Sequence, residues 1–195
     1  QILGITFTNK AAKEIKERVL KLIPGAERMT LSTIHSFCAR FLRIYIDALD
    51  IYQKNFTIID EEDQKTIMKN LFVSKGLTKT DERIKEAMNF ISSKKGEGLE
   101  YQDIADKVYP NHELNFYKEC FADYDAYLKK TNSLDFDDLI LLTIKILEDD
   151  VNGIRKEVTK KYRHILVDEF QDIDDVQFHL ITLLMNQETS LYVVG

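Results

Sequence analysis

The spacing of apolar residues along the chain predicts strands that alternate with amphipathic helices. Residues 2–7 form a nearly continuous apolar run, which is typical of a strand buried on both faces of a parallel sheet. Thr8 and Asn9 then suit a helix N-terminus, and apolar residues recur at helical spacing until Pro24 and Gly25 end the pattern. The chain is therefore expected to open with a strand, a tight turn and a helix.

The same alternation returns in two later parts of the chain. A short strand is predicted over residues 29–33 and is followed by a helical pattern. Near the other end, strands are predicted over residues 164–167 and 190–194, with a helix between them. Strands that alternate with helices imply parallel pairing and right-handed crossovers, so the pattern indicates an α/β fold.

The middle of the chain has a different pattern. Residues 56–59 form a brief extended segment, and Asp60 is placed to cap the helix that follows. No strand signal of any strength occurs between residues 60 and 130, and residues 134–147 indicate a long apolar helix. We therefore expect a helical insertion within the α/β domain.

Composition narrows the class of protein. The 195 residues are 44% hydrophobic, which suits one globular domain or one domain with an inserted subdomain. No apolar run approaches the roughly 18 residues of a membrane span. The two cysteines form no CxxC pair, so a reducing cytoplasm is expected. A net charge of −6 disfavours binding of duplex DNA by bulk electrostatics, but it permits a single strand held by stacking and a few phosphate contacts.

The strongest local signal for chemistry is an apolar strand that ends in the pair Asp168-Glu169. Ligands of parallel α/β sheets bind outside the carboxyl ends of the strands, where one acid can hold Mg²⁺ and the next can orient an attacking water. On this interpretation Asp168 holds the metal, Glu169 polarises the water and Gln171 senses the γ-phosphate of a nucleotide. The alternative is that these acids only favour the N-terminus of the next helix.

Two further segments combine polar groups with an aromatic residue at the end of a strand. Phe7 could stack on a base, and Thr8 or Asn9 could bond a backbone phosphate. His35, at the end of the second strand, could also contact nucleic acid. The alternatives are that Phe7 is a core residue, that Thr8 and Asn9 only cap a helix, and that His35 is structural.

A cluster of acids opens the long apolar helix. Three acids, Asp135, Asp137 and Asp138, fall within four residues and could suggest a metal site. They are better explained as residues that cap the start of the helix and complement its dipole. No other group of residues has metal-ligand spacing.

Five segments, taken in order, resemble the motifs of UvrD/Rep/PcrA-type superfamily 1A DNA helicases. Residues 5–12 resemble motif Ia, residues 32–38 motif Ib and residues 167–172 motif II. Residues 134–139 resemble the return of the chain into the motor domain, and residues 192–195 the start of motif III. Each motif alone is weak to moderate evidence, but five in the right order and spacing cover essentially the whole chain.

This resemblance implies a fold and an activity. The fold would be a truncated RecA-like parallel sheet of the P-loop NTPase type over residues 1–56 and 133–195, with a helical subdomain over residues 57–132. The parent enzyme would use ATP and Mg²⁺ to move 3′→5′ along single-stranded DNA and to act at junctions of single- and double-stranded DNA, in repair, replication or recombination.

The resemblance also carries over to individual residues. It assigns Asp168 to the metal, and Asp168, Glu169 and Gln171 to the nucleotide, with Glu169 and Gln171 catalytic. It assigns Phe7, Thr8, Asn9 and His35 to single-stranded DNA.

The sequence departs from the family pattern in three places. Ile173-Asp174 replaces the usual Thr-Asn after motif II, and Phe170 replaces a common Tyr. No GxxxxGK[ST] phosphate-binding loop occurs, and the family's arginine fingers would lie beyond motif III. Phosphoryl transfer needs both, so this chain is expected to be catalytically silent alone.

Three alternatives stay open at this point. The parent could be an AddA/RecB-like helicase–nuclease, although the short path from motif Ib to motif II favours the simpler helicase. It could be a degenerate module that binds DNA without catalysis, although the intact Asp168-Glu169 pair disfavours this. Finally, the two acidic clusters could converge to form an unrelated Mg²⁺-dependent phosphohydrolase.

Overall fold

The computed structural model describes residues 1–195 and divides them into two compact units. The sheet unit comprises Gln1–Ala48 and Leu142–Gly195, and the helical unit comprises Leu49–Leu141. The predicted insertion, residues 57–132, falls inside the helical unit, and its assignment as a separate domain stays a prediction. No helix is both long enough and apolar enough to cross a membrane.

The sheet unit is built on four parallel strands, which are β1 (Ile2–Ile5), β2 (Thr30–Ser32), β5 (His164–Val167) and β6 (Ser190–Val193). Their order across the sheet is β2-β1-β5-β6. Its helices are α1 (Asn9–Leu22), α2 (Ile34–Tyr45), α8 (Ile154–Lys161), α9 (Asp175–Leu183) and the C-terminal part of α7 (Phe136–Asp149). The predicted α/β class is confirmed.

The two central strands carry the core of the sheet. Leu3 and Ile165 are fully buried, Ile5 and Val167 are nearly so, and the pairing of the two strands places these four side chains on one face of the sheet. The opposite face is not fully covered, because Leu166 of β5 and Tyr192 of β6 are 40% and 53% exposed. Gly4 leaves room for the Leu31 side chain of β2, since a Cβ atom at this position would collide with a terminal methyl group of Leu31.

The strands end together at one edge. Ile5 pairs with both Ser32 and Val167, and Val167 pairs with Val193. The residues that follow β1, β2 and β5 therefore emerge side by side at the carboxyl edge of the sheet, where ligands of such folds bind.

The helical unit contains four complete helices and a small parallel sheet. These elements are β3 (Thr57–Ile58), α3 (Glu61–Ser74), α4 (Arg83–Gly96), α5 (Tyr101–Ile104), α6 (His112–Lys130) and β4 (Ser133–Leu134). The helices bury a common core that includes Met68, Phe72, Ile91 and Phe121. Asp60 caps α3 as predicted, with its carboxylate accepting from the amide of Asp63 at 2.9 Å.

One boundary prediction is wrong. The apolar pattern predicts that the long helix begins at Leu134, but Leu134 lies in β4 and pairs with Ile58, and α7 begins at Phe136. The two residues of β4 are too few to show strand periodicity, so the pattern of the following helix masked them.

Candidate functional site

The acidic pair after β5 is held by hydrogen bonds to both neighbouring strands. The amide of Asp168 donates to the carbonyl of Ile5 at 3.0 Å, at the end of β1. The amide of Phe170 donates to the carbonyl of Val194 at 2.9 Å, and the amide of Val194 donates to Val167 at 2.9 Å. Between these fixed points Glu169 is exposed and has a left-handed backbone with φ of 52°. This conformation is strained for a residue with a side chain, and such strain is concentrated at functional sites.

Gln171 contacts Glu169 directly. Its side-chain amide donates a short hydrogen bond to a Glu169 carboxylate oxygen. A Cβ atom at Gly195 would collide with the Gln171 side-chain oxygen, so glycine leaves room for this arrangement. The structure thus brings together the two residues that the sequence analysis assigned to catalysis.

The chemistry of the acidic pair is compatible with Mg²⁺. Asp168 is partly exposed at the carboxyl edge of the sheet, next to the exposed Glu169. Mg²⁺ bound with a nucleotide commonly uses one or two carboxylates together with phosphate oxygens and water. The structure contains no group of three or more His, Cys, Asp or Glu side chains that could hold a metal ion without such help.

The residues after β1 form an ordered turn into α1. Thr8 is the N-cap residue, and its hydroxyl accepts from the amide of Ala11 at 3.1 Å. The buried Thr6 donates its hydroxyl to the carbonyl of Thr8 at 3.0 Å, which fixes the turn. Phe7 is 63% exposed, so its ring is not part of the core.

Asn9, the first residue of α1, is bonded to the start of α2. Its side-chain oxygen accepts from the hydroxyl of Ser36 at 3.0 Å and lies 3.3 Å from the hydroxyl of Thr33. Thr33 is also the N-cap of α2, accepting from the amide of Ser36 at 3.2 Å. These bonds connect the motif Ia and motif Ib segments, and no local sequence pattern predicts them.

One cleft of about 180 Å³ lies at the carboxyl edge of the sheet. Phe7, His35 and Asp168 line it, together with Ile173 and Gln177. Thr8, Asn9, Glu169 and Gln171 are not among its lining residues. The cleft thus joins one acid assigned to the nucleotide with two residues assigned to DNA.

The electrostatics of the cleft favour an uncharged His35. Burial lowers the pKa of His35, and the negative charge of Asp174 opposes this effect without cancelling it. Asp174 is one of the three residues that depart from the family pattern around motif II, with Phe170 and Ile173. It caps α9, accepting from the amide of Gln177 at 2.7 Å.

The acids at the start of α7 form a separate, structural group in the helical unit. Asp135 accepts from the amide of Asp138 at 2.9 Å, and Asp138 accepts from the amide of Asp135 at 3.1 Å, as predicted for acids that cap a helix. The Lys95 ammonium contacts both carboxylates at 2.6 and 2.7 Å. The proposed convergence of the two acidic clusters on a metal therefore finds no support, since these carboxylates are occupied by a buried cation.

Lys95 is a residue that the sequence analysis missed. Ile84, Ala87, Ile91 and Lys95 are all buried on α4 and recur at intervals of three and four residues. Such spacing places the lysine in the apolar stripe of the helix. A lysine in that stripe indicates a buried acidic partner, because an unpaired buried charge is costly.

Comparison with known proteins gives a consistent family match. A family model described as the UvrD/REP helicase N-terminal domain matches residues 1–195. The chain is similar over its whole length to proteins described as the ATP-dependent DNA helicase PcrA. Identity is 40% for the protein from Bacillus subtilis, 37% for that from Staphylococcus aureus and 36% for that from Leuconostoc citreum. The chain spans 26% of the length of each of these relatives.

Proposed function

Because the chain belongs to the UvrD/REP helicase family, we propose that it forms part of the motor of an ATP-dependent DNA helicase. The motor moves 3′→5′ along single-stranded DNA and acts at junctions of single- and double-stranded DNA. The chain contains no GxxxxGK[ST] loop, so ATP hydrolysis is proposed for the longer protein that carries it and not for these 195 residues alone.

On the nucleotide side, each acid has a separate role. Asp168 would hold Mg²⁺, which would supply positive charge to offset the negative charge of the ATP phosphates. Glu169 orients the attacking water and accepts its proton. Gln171 senses the γ-phosphate and reports its loss, and its hydrogen bond to Glu169 supports this role.

On the DNA side, four residues contact the single strand. The exposed ring of Phe7 stacks on a base, since aromatic rings offer a platform that does not depend on sequence. Thr8 and Asn9 bind a backbone phosphate at the N-terminus of α1, where the helix dipole favours negative charge. His35 contacts the strand from α2 as a neutral ring.

The observation that carries this proposal is the cleft lined by Phe7, His35 and Asp168. The hydrogen bond from the amide of Asp168 to Ile5 supports a short structural connection between the nucleotide side and the DNA side of the cleft, because Ile5 precedes Phe7 by two residues. A change at Asp168 when the nucleotide is hydrolysed can therefore reach the residue that stacks on DNA.

Binding of a fluorescein-labelled oligothymidylate to the full-length protein tests the DNA side. We expect Phe7→Ala to weaken binding by about tenfold or more, since stacking on one base contributes about 1–3 kcal/mol. Leu22→Ala is the matched control, because Leu22 is similarly exposed, on the last turn of α1. Equal affinities for both variants and the parent would remove Phe7 from the DNA site.

Two alternatives stay hypotheses. An AddA/RecB-like helicase–nuclease would show nuclease activity in the full-length protein. A degenerate module would bind the oligonucleotide but would not hydrolyse ATP.

A further inference from the structure

The amide of Asn9 is fixed in one orientation by two hydroxyl groups. Ser36 donates to its oxygen at 3.0 Å, and the Thr33 hydroxyl lies 2.9 Å from that of Ser36. The hydroxyls thus form a chain in which Thr33 donates to Ser36 and Ser36 donates to Asn9. The Asn9 amino group has no partner in the structure and belongs to an exposed residue.

The opposite orientation of the amide would be less suited to an anion. The amino group would donate inward to the Ser36 hydroxyl, and the Asn9 oxygen would face outward, where an acceptor repels a phosphate oxygen. The observed orientation instead uses the oxygen to accept from Ser36 and leaves the amino hydrogens on the outer side.

We propose that Ser36, supported by Thr33, is a positioning residue that presents the Asn9 amino group as a hydrogen-bond donor to a phosphate of single-stranded DNA. This inference rests on the proposed function, in which Asn9 contacts the strand. It extends that function, because Ser36 of motif Ib acts on DNA only through Asn9 of motif Ia.

The arrangement has two physical advantages for a motor. The side chain of Asn9 is ordered before DNA arrives, so less conformational entropy is lost on binding. The donor also stands at the N-terminus of α1, beside the N-terminus of α2, and both helix dipoles favour an anion there.

A double-mutant cycle in the full-length protein distinguishes positioning from direct contact. Affinity for a fluorescein-labelled oligothymidylate is measured for the parent, Asn9→Ala, Ser36→Ala and the double variant. We expect losses of about tenfold for Asn9→Ala and about threefold to fivefold for Ser36→Ala, typical of one hydrogen bond and of its support. If Ser36 acts only through Asn9, Ser36→Ala causes no further loss once Asn9 is alanine.

Two more variants sharpen the test. Ser36→Thr retains the hydroxyl and is expected to bind like the parent, which excludes a general effect of substitution at this position. Asn9→Asp retains the oxygen that accepts from Ser36 but replaces the amino group with a second, charged oxygen. It is expected to bind more weakly than Asn9→Ala, and the difference should shrink at high salt.

The outcomes separate the inference from the function on which it rests. If the losses of affinity multiply in the double variant, Ser36 contacts DNA independently of Asn9. If Ser36→Ala binds with full affinity, Ser36 has no role in binding. Either result overturns the positioning inference alone. Failure of the parent protein to bind the oligothymidylate would overturn the proposed function and the inference together.

Discussion

Lys95 and Asp135 form an ion pair inside the helical unit, with 2.6 Å between Nζ and Oδ2. Asp138 contacts the same ammonium at 2.7 Å, and the Tyr124 hydroxyl donates to Asp135 at 3.1 Å. Burial disfavours the charged form of Lys95, but attraction to the two carboxylates outweighs it and raises the pKa of Lys95. The cation thereby joins α4 to the start of α7, and Asp135 joins both to Tyr124 of α6.

Removing this cation should destabilise the chain. Lys95→Met leaves Asp135 and Asp138 in the interior without their partner, and breaking a buried pair in this way costs about 3–5 kcal/mol. Urea unfolding followed by circular dichroism measures the change in the free energy of unfolding.

The neighbouring lysine provides the control. Lys94 pairs with Glu97 at 2.7 Å near the surface, and such pairs contribute about 1 kcal/mol or less. Lys94→Met should therefore have a small effect. Equal destabilisation by the two substitutions would contradict the assignment of Lys95 as the buried link.

The same group predicts how stability depends on pH. Burial and the nearby charge of Asp135 raise the pKa of Asp138 to about 7. The folded chain then holds this proton more tightly than the unfolded chain, so the free energy of unfolding falls as pH rises from about 4 to about 7. Asp138→Asn removes this titration, and the decline across that range should become shallower.

Asp135 behaves in the opposite way. Burial opposes its ionisation, but Lys95 and the hydrogen bonds lower the pKa of Asp135 below its usual value. Its contribution to stability is present above pH about 4 and is lost as pH falls further.

Asp106→Asn, which removes an exposed acid, is the control for Asp138→Asn and should leave the pH dependence of stability unchanged. If the decline in the free energy of unfolding between pH about 4 and about 7 were unchanged in Asp138→Asn, the account would be contradicted.

Local pattern was sufficient to predict most elements of the sheet unit. The apolar runs at β1 and β5 and the cap at Thr8 depend on residues that are close in sequence. The pairing of β3 with β4 could not be predicted, because it joins Thr57 to Ser133 through only two residues on each strand.

The candidate site likewise combines features that the local sequence predicts with features that it does not. The motifs identified the residue types, since an apolar strand that ends in acids is visible in the sequence. The bond of Asn9 to Ser36 and the left-handed backbone of Glu169 depend on the packing of α1, α2 and β6, which no local pattern encodes.

The departure at Asp174 gives a prediction for His35. Asp174 raises the pKa of His35 against the larger effect of burial, so Asp174→Asn should lower that pKa further. Asparagine keeps the cap of α9, because it also accepts from a helix amide. The pKa is measured by nuclear magnetic resonance titration of the His35 ring.

The adjacent acid is the matched control for this titration. Asp175→Asn removes the same charge from the next position, in the first turn of α9. It should change the pKa of His35 less than Asp174→Asn does. A pKa that rises in Asp174→Asn would contradict the electrostatic assignment.

ATP hydrolysis by the full-length protein, with and without single-stranded oligonucleotide, tests the central claim most directly. The parent should hydrolyse ATP faster when the oligonucleotide is present. Glu169→Gln should lower kcat by about a hundredfold or more, since a positioned base contributes about 10²–10⁴-fold, while binding of the oligonucleotide stays intact. DNA binding without hydrolysis by the parent, or a Glu169→Gln variant as active as the parent, would contradict a DNA-driven motor with Glu169 on the attacking water.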